Sequence, residues 1–219
     1  MKCVFVAALF LSSLGPAMPV ERESIRHGFD QPGLRALRPG FDYLRRTPSD
    51  IWASQSPLDR MYLATEGGGA EGTPGYLALP ADDADEFYAE ATPYWWVPSR
   101  TFDLRETRVR FYLKEVRPIS VAAGFEPRLF VADYVPGDGY STSVRKEPLR
   151  VGKDGWALNE FEVRPEPSLW VDNKRPIGTV LAQAGFIGVA YHNLTNSKGA
   201  HAHGVLGIDE FEFNLPVRR

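Results

Sequence analysis

The sequence has one cysteine, no apolar run long enough to cross a membrane as a helix, and no excess of positive charge. A lone cysteine cannot form a disulfide within the chain, so the fold must be stabilised by its core. Lys and Arg number 25 against 28 Asp and Glu, and a net charge of −3 gives no electrostatic case for nucleic acid. These shortages argue against a disulfide scaffold, a membrane span and a basic nucleic-acid surface.

The N-terminus has the layout of a secretory signal peptide, predicted over residues 1–17. Lys2 gives a positive start, residues 4–14 are apolar apart from two serines, and small residues end the segment at Ala17. Cleavage after Ala17 would also remove Cys3, the only cysteine. We therefore expect an exported protein, secreted or periplasmic/extracellular. An N-terminal core strand or helix is the alternative interpretation.

Glycine and proline are abundant, with 20 Gly and 18 Pro among the 219 residues. Both residues disfavour helix interiors, so their excess indicates short strands joined by turns. Residues 108–114 alternate apolar and polar side chains, as does a strand with one face in the core and one in water. Further strands are predicted at residues 75–80, 128–135, 156–163, 186–192 and 205–213.

Strands at fairly regular intervals without long connecting helices predict an all-β fold, an antiparallel two-sheet β-sandwich with an N-terminal arm. A parallel α/β sheet is disfavoured because its crossovers need helices that this sequence lacks. The predicted organisation is a signal peptide at 1–17, an arm at 18–50 and a sandwich domain at 51–216. Residues 56–63 fit either a short helix or a strand towards Ala64.

The C-terminal segment at residues 204–213 reads Gly-Val-Leu-Gly-Ile-Asp-Glu-Phe-Glu-Phe. It resembles the closing strand of concanavalin A-like and carbohydrate-binding jelly-roll modules. Three earlier segments occur in the order that such modules show: Thr-Phe-Asp-Leu-Arg at 101–105, Gly155-Trp156, and Ile-Gly-Val at 187–189. The resemblance covers roughly residues 75–214. It implies a jelly roll of two antiparallel sheets that binds a polysaccharide or a glycan.

The same resemblance implies a structural calcium ion held by the closing-strand aspartate, here Asp209. Asp30, near the start of the mature chain, could be its partner. Calcium needs several hard oxygen ligands, which carboxylates and backbone carbonyls supply. The alternative is that Asp209 hydrogen-bonds a loop.

Two groups of side chains are candidates for ligand binding. Tyr94, Trp95 and Trp96 form the densest aromatic cluster, and an exposed ring among them could stack on the C–H face of a sugar. Arg108, Arg110 and Tyr112 share the polar face of one predicted strand and could bind an acidic glycan. A solvent face balanced by neighbouring acids is the alternative for the second group.

Histidines near the C-terminus supply the remaining candidate, His192. With His201 and His203 it could also bind zinc, although a polar loop explains these histidines as well. His192 is counted among the ligand-binding candidates.

The leading hypothesis is an exported, non-catalytic carbohydrate-binding module. No catalytic residue is assigned, and calcium is the cofactor considered. We expect no nucleic-acid partner. The alternatives are a glycoside hydrolase, a polysaccharide lyase or a surface/assembly protein. A hydrolase would use paired carboxyls such as Glu160 with Glu162 or Glu210 with Glu212, although the Glu-x-Asp-x-x-Glu string of sandwich hydrolases is absent. A lyase would need a base such as Tyr112 or His192 beside an arginine.

Overall fold

The computed structural model describes residues 22–29, 34–38, 41–47, 50–54, 62–81, 88–92, 101, 103–135, 139–172, 174–195 and 202–216. Within these ranges the chain forms fourteen strands, one short α-helix, α1 at Ile177–Ala182, and single 3-10 turns at Ala70–Gly72 and Pro167–Leu169. No helix in these ranges has both the length and the apolar character needed to cross a membrane.

The strands form two sheets, and their pairings are antiparallel. The six-stranded sheet contains β1 (Arg22–His27), β5 (Tyr62–Ala64), β6 (Tyr76–Ala81), β8 (Thr107–Val121), β11 (Ala157–Val163) and β14 (Ala202–Pro216). The eight-stranded sheet contains β2 (Leu34–Arg38), β3 (Phe41–Thr47), β4 (Asp50–Ser54), β7 (Tyr88–Thr92), β9 (Glu126–Val135), β10 (Gly139–Arg145), β12 (Trp170–Asp172) and β13 (Phe186–His192).

The order of the six-stranded sheet is β11-β8-β14-β6-β5, and β1 pairs with β14 beyond the end of β6. The order of the eight-stranded sheet is β12-β10-β9-β13-β7-β4-β3-β2. The closing strand β14 therefore lies at the centre of the smaller sheet, and β9 and β13 lie side by side in the larger one.

The hydrophobic core lies between the two sheets. Val109 and Phe111 on β8 point into it from the six-stranded sheet, and Val131 and Val189 point into it from the eight-stranded sheet. Phe111 also stacks on Phe211 of β14, with ring centroids 5.0 Å apart. One apolar layer enclosed by two antiparallel sheets confirms the predicted all-β sandwich.

The six strand predictions are confirmed, and the one at 186–192 coincides with β13. In the segment with two interpretations, the described residues form strand β5, while residues 55–61 lie outside the described ranges. The predicted arm at 18–50 includes β1, β2 and β3, which pair with the sheets. The domain boundaries and the signal peptide stay predictions, and residues 1–17 lie outside the described ranges.

Candidate functional site

Arg108, Arg110 and Tyr112 lie together on the outer face of β8, as the strand alternation predicts. Arg108 forms an ion pair with Glu160, and Arg110 forms one with Glu71. The Tyr112 hydroxyl donates a hydrogen bond to Glu71 and accepts one of 2.8 Å from Arg110 Nη2. Each basic group thus faces a carboxylate, which is the arrangement expected of a balanced solvent face.

A polar groove of about 400 Å³ lies beside this ionic cluster, at the ends of β1, β8 and β14. Ser24 donates a 2.6 Å hydrogen bond to Glu212, and the Asn214 side-chain oxygen accepts one of 2.8 Å from the backbone N–H of Arg108. Its lining includes the Arg108 and Arg110 side chains. The groove has the volume of a small ligand site, but the polar groups named here already bond to one another.

The electrostatics of Tyr112 do not suit an elimination base. Burial and the hydrogen bond to Glu71 raise the pKa of Tyr112, and only Arg110 acts in the opposite direction. A tyrosine that removes a proton near neutral pH needs a lowered pKa. This geometry therefore gives no support to Tyr112 as the base of a lyase.

Glu71 supports a prediction about acid stability. The hydrogen bonds from Tyr112 and Arg110 lower the pKa of Glu71 below its usual 4.5. A lowered carboxyl pKa contributes stability above the unfolded-state value, and this contribution is lost as pH falls through the folded-state value. We expect Glu71→Gln to flatten the fall of the unfolding midpoint between about pH 5 and about pH 3, measured by thermal unfolding. An unchanged slope would contradict the pairing.

Asp209 is buried on β14 and anchors the loop between β5 and β6. Its Oδ2 accepts hydrogen bonds of 2.7 Å from the Ala70 N–H and 2.7 Å from the Thr73 hydroxyl. Its Oδ1 accepts one of 2.8 Å from the Glu210 N–H. Burial raises the pKa of Asp209 to about 6, and the three hydrogen bonds act against that shift.

These contacts fit the loop-anchor interpretation of Asp209. A calcium ion binds oxygen lone pairs, whereas the contacts found here direct hydrogens at the carboxylate. Within the described ranges, no group of three or more His, Cys, Asp or Glu side chains could hold a metal ion. The other predicted ligand, Asp30, lies outside those ranges, so the calcium ion stays a prediction.

On the side of the eight-stranded sheet that faces away from the core, strands β9, β10 and β13 carry a patch of apolar side chains. Leu129, Val131, Ile187 and Val189 point into the core, so the alternate residues of β9 and β13 point outwards. A second apolar cluster, separate from the core, lies on that side. We call this patch the outer apolar face and define it by Phe130, Ala132, Tyr140, Val144, Phe186 and Ala190. Tyr140 is the exposed member, and the other five side chains are buried.

Tyr140 is the exposed aromatic ring of the outer apolar face. Half of it, 50%, is accessible to solvent, whereas Phe186 is 8% exposed. The two rings pack edge to face, with centroids 5.2 Å apart and planes at 74°. The packing fixes the position of Tyr140, so the face presents an aromatic ring already held in place.

The predicted candidates divide between the two sheets. Arg108, Arg110 and Tyr112 belong to the six-stranded sheet, whereas His192 ends β13 of the eight-stranded sheet. The His192 side chain is buried, with Nδ1 2.5 Å from the carbonyl oxygen of Asn193. His203 lies on β14 of the other sheet and His201 lies outside the described ranges, so the structure does not bring His192 and His203 into one sheet.

Tyr94, Trp95 and Trp96 lie outside the described ranges. They follow β7, which pairs with β13 in the eight-stranded sheet, and Ala91 of β7 is the partner of Ile187. The described end of β7 thus lies beside the start of β13, where Phe186 meets Tyr140.

The sequence analysis did not predict Tyr140 as a surface candidate, nor the buried Phe186 and Phe130 beside it. The available signal was the near absence of polar residues from both faces of residues 128–135 and 186–192. A strand that is apolar on both faces needs cover, or a ligand, on its outer side as well as a core on its inner side.

Comparisons with known proteins add structural neighbours. No family model matches the chain, and no curated protein matches it. The chain is similar in structure to a putative glycoside hydrolase from Bacteroides vulgatus, with 10% identity, a TM-score of 0.46, and coverage of 85% of this chain and 96% of that one. It is also similar to the CBM22-1 xylan-binding domain from Paenibacillus barcinonensis, with 14% identity, a TM-score of 0.44, and coverage of 89% and 95%.

A third neighbour is the L4b domain of human laminin alpha-2, with 11% identity, a TM-score of 0.42, and coverage of 91% of this chain and 100% of that domain. Carbohydrate-binding modules, the class suggested by the sequence, are thus among the solved structures to which the chain is similar. Because one fold hosts unrelated functions, the function has to be argued from the site.

Proposed function

We propose that this chain is an exported, non-catalytic carbohydrate-binding module that binds a polysaccharide or a glycan on the outer apolar face. The observation that carries the proposal is the half-exposed Tyr140 ring, packed against Phe186 on the outer side of a sheet. An exposed aromatic ring within an apolar surface is the feature of this molecule best suited to a recognition site.

The chemistry of sugars explains the fit. A pyranose ring carries C–H groups on its faces and hydroxyls around its edge, so an aromatic ring can cover a face while the edge stays in water. Tyr140 offers such a ring, and its edge contact with Phe186 limits the rotamer freedom that binding would otherwise remove. The neighbouring Phe130, Val144 and Ala190 are buried and form an apolar cluster on the same side of the sheet.

The aromatic cluster Tyr94, Trp95 and Trp96 fits the same proposal. It begins two residues after Thr92, at the end of β7, the strand that pairs with β13. We propose that at least one of these rings adds a second stacking position to the surface. Two rings spaced along a sheet suit a chain of sugar units better than a single small molecule.

Replacing Tyr140 by alanine tests the surface. We expect Tyr140→Ala to weaken binding of a recognised polysaccharide by about tenfold or more, since an exposed aromatic anchor carries much of a binding energy. Tyr140→Phe, which keeps the ring, should bind nearly as well as the wild type. Affinity electrophoresis on soluble polysaccharides measures both variants.

A control variant on the other sheet separates the two surfaces. Arg108→Ala changes the polar groove and leaves the outer apolar face intact, so it should bind as the wild type does. Loss of binding in Arg108→Ala together with normal binding in Tyr140→Ala would move the site to the groove. Release of reducing sugar or of an unsaturated product would overturn the non-catalytic part of the proposal.

A further inference from the structure

A second cavity, of about 260 Å³, opens at the edge of the sandwich, where the end of β10 and the loop at 146–150 approach β11. Leu158 and Phe161 form an apolar wall, and Arg145 and Arg150 bring positive charge. Leu158 is 39% exposed, which is unusual for a leucine in the described part of this chain. The cavity shares no lining residue with the polar groove and none with the outer apolar face.

Arg145 is the key side chain of this cavity. It is buried, with only 9% of its side chain exposed, and its guanidinium lies 4.3 Å from the centre of the Phe161 ring. Nη2 donates a 2.7 Å hydrogen bond to Glu147, whereas the buried Nη1 has no hydrogen-bond partner among the described residues. A buried charged donor without an acceptor is costly, so an acceptor brought by a ligand would be favourable.

A second unpaired group lies nearby. Ser143, two residues before Arg145 on the same side of β10, has a buried hydroxyl without a partner in the described part of the chain. Ser143 is not among the residues that line the cavity, so Arg145 is the unpaired donor on which the site depends.

The two carboxylates at the cavity do not prevent an anion from binding there. Glu160, at the rim, forms an ion pair with Arg108 on the outer face of the sheet. Glu147 is 73% exposed and holds Arg145 from the solvent side. An anion that displaced Glu147 would meet the Arg145 guanidinium, and Arg150, an exposed residue of the lining, adds a second positive charge to the cavity.

We propose that this cavity binds the carboxylate of a small organic acid. The ligand carboxylate exchanges with that of Glu147 and accepts hydrogen bonds from the Arg145 guanidinium, whose fork geometry matches a carboxylate. Its carbon skeleton contacts Leu158 and Phe161. The volume suits one such group, which comes either from a free acid or from a uronic acid residue of a glycan.

Calorimetric titration of the full chain tests the site, in a buffer free of carboxylates and at fixed low salt. The probes are glucuronate, propionate and glucose, the last being the neutral counterpart of glucuronate. We expect both acids to bind and glucose not to bind. Glucuronate binding more tightly than propionate would identify uronic acid as the source, whereas equal or tighter propionate binding would identify a free acid.

Three variants locate the binding. Arg145→Lys keeps the charge and removes the fork, so it should weaken glucuronate by about tenfold. Glu147→Gln removes the internal competitor and should tighten binding several-fold. Arg105→Lys, which alters an exposed ion pair with Asp103 in a separate turn, should change nothing.

The proposal is overturned if neither acid binds, if glucose binds as well as glucuronate, or if Arg145→Lys and Glu147→Gln leave affinity unchanged. Because Glu147 is largely exposed, Glu147→Gln keeps the test decisive even if Arg145→Lys fails to fold. Tyr140→Ala should leave glucuronate binding intact, so failure here and failure of the polysaccharide surface are distinguishable.

Discussion

Replacing Asp209 by alanine is expected to lower the free energy of unfolding by about 3 kcal/mol or more, because each buried donor left without an acceptor costs about 1 to 3 kcal/mol. The donors are the backbone N–H groups of Ala70 and Glu210 and the hydroxyl of Thr73. Asp209 and Ala70 are fully buried, so water cannot easily replace the carboxylate there. Urea unfolding of the purified chain measures the change.

A control variant and a measurement with a chelator show whether hydrogen bonds cause this loss of stability. Glu162→Ala removes an acidic side chain that is 45% exposed on β11, and its loss should be within about 0.5 kcal/mol. The Asp209→Ala loss should be the same with and without a chelator if hydrogen bonds account for it. A loss that chelator abolishes would instead support the predicted calcium ion. A loss as small as that of Glu162→Ala would contradict the anchoring role.

Replacing Gly69 by alanine is expected to destabilise the same loop by about 3 kcal/mol, the upper end of the usual cost of overpacking. A Cβ at this position would collide with Thr73 Oγ1, Asp209 Oδ2 and the carbonyl oxygen of Gly75. Thr73 Oγ1 and Asp209 Oδ2 form the hydrogen bond that fixes the loop, so the loop cannot move to make room for the Cβ without losing that bond. Thermal and urea unfolding of Gly69→Ala report the loss.

Gly155→Ala is the control, because a Cβ there meets nothing within 4 Å. Its stability should stay within about 0.5 kcal/mol of the wild type. If Gly69 and Asp209 stabilise the same hydrogen-bonded loop, the stability losses in Gly69→Ala and Asp209→Ala will not add in the double variant. Fully additive losses, or a Gly69→Ala variant as stable as Gly155→Ala, would contradict the described packing.

The strands that sequence patterns located are those with an apolar inner face. In β8 the alternation of Val109, Phe111 and Leu113 with polar residues predicts both the strand and the face that it turns to the core. β10 escaped prediction because its buried side carries Ser141 and Ser143, so no apolar period marks it. The short helix α1 escaped because six residues are too few for a helical period to show.

The candidate sites were less predictable than the fold, because they depend on contacts between distant segments. Arg108, Arg110 and Tyr112 were placed on one face correctly, yet their acidic partner Glu71 lies in a loop far away in the sequence. Tyr140 becomes a surface candidate only because β10 pairs with β9 and brings it to Phe186. Such pairings depend on register and sheet order, which local patterns do not encode.

A glycan array probed with the wild type, Tyr140→Ala and Tyr140→Phe tests whether the Tyr140 surface binds carbohydrate. We expect the wild type to bind a defined set of polysaccharides, Tyr140→Phe to bind the same set, and Tyr140→Ala to lose it while remaining folded. Wild-type protein that binds no glycan, with or without added calcium, would rule out a carbohydrate-binding module, and Tyr140→Ala binding equal to that of the wild type would rule out this surface.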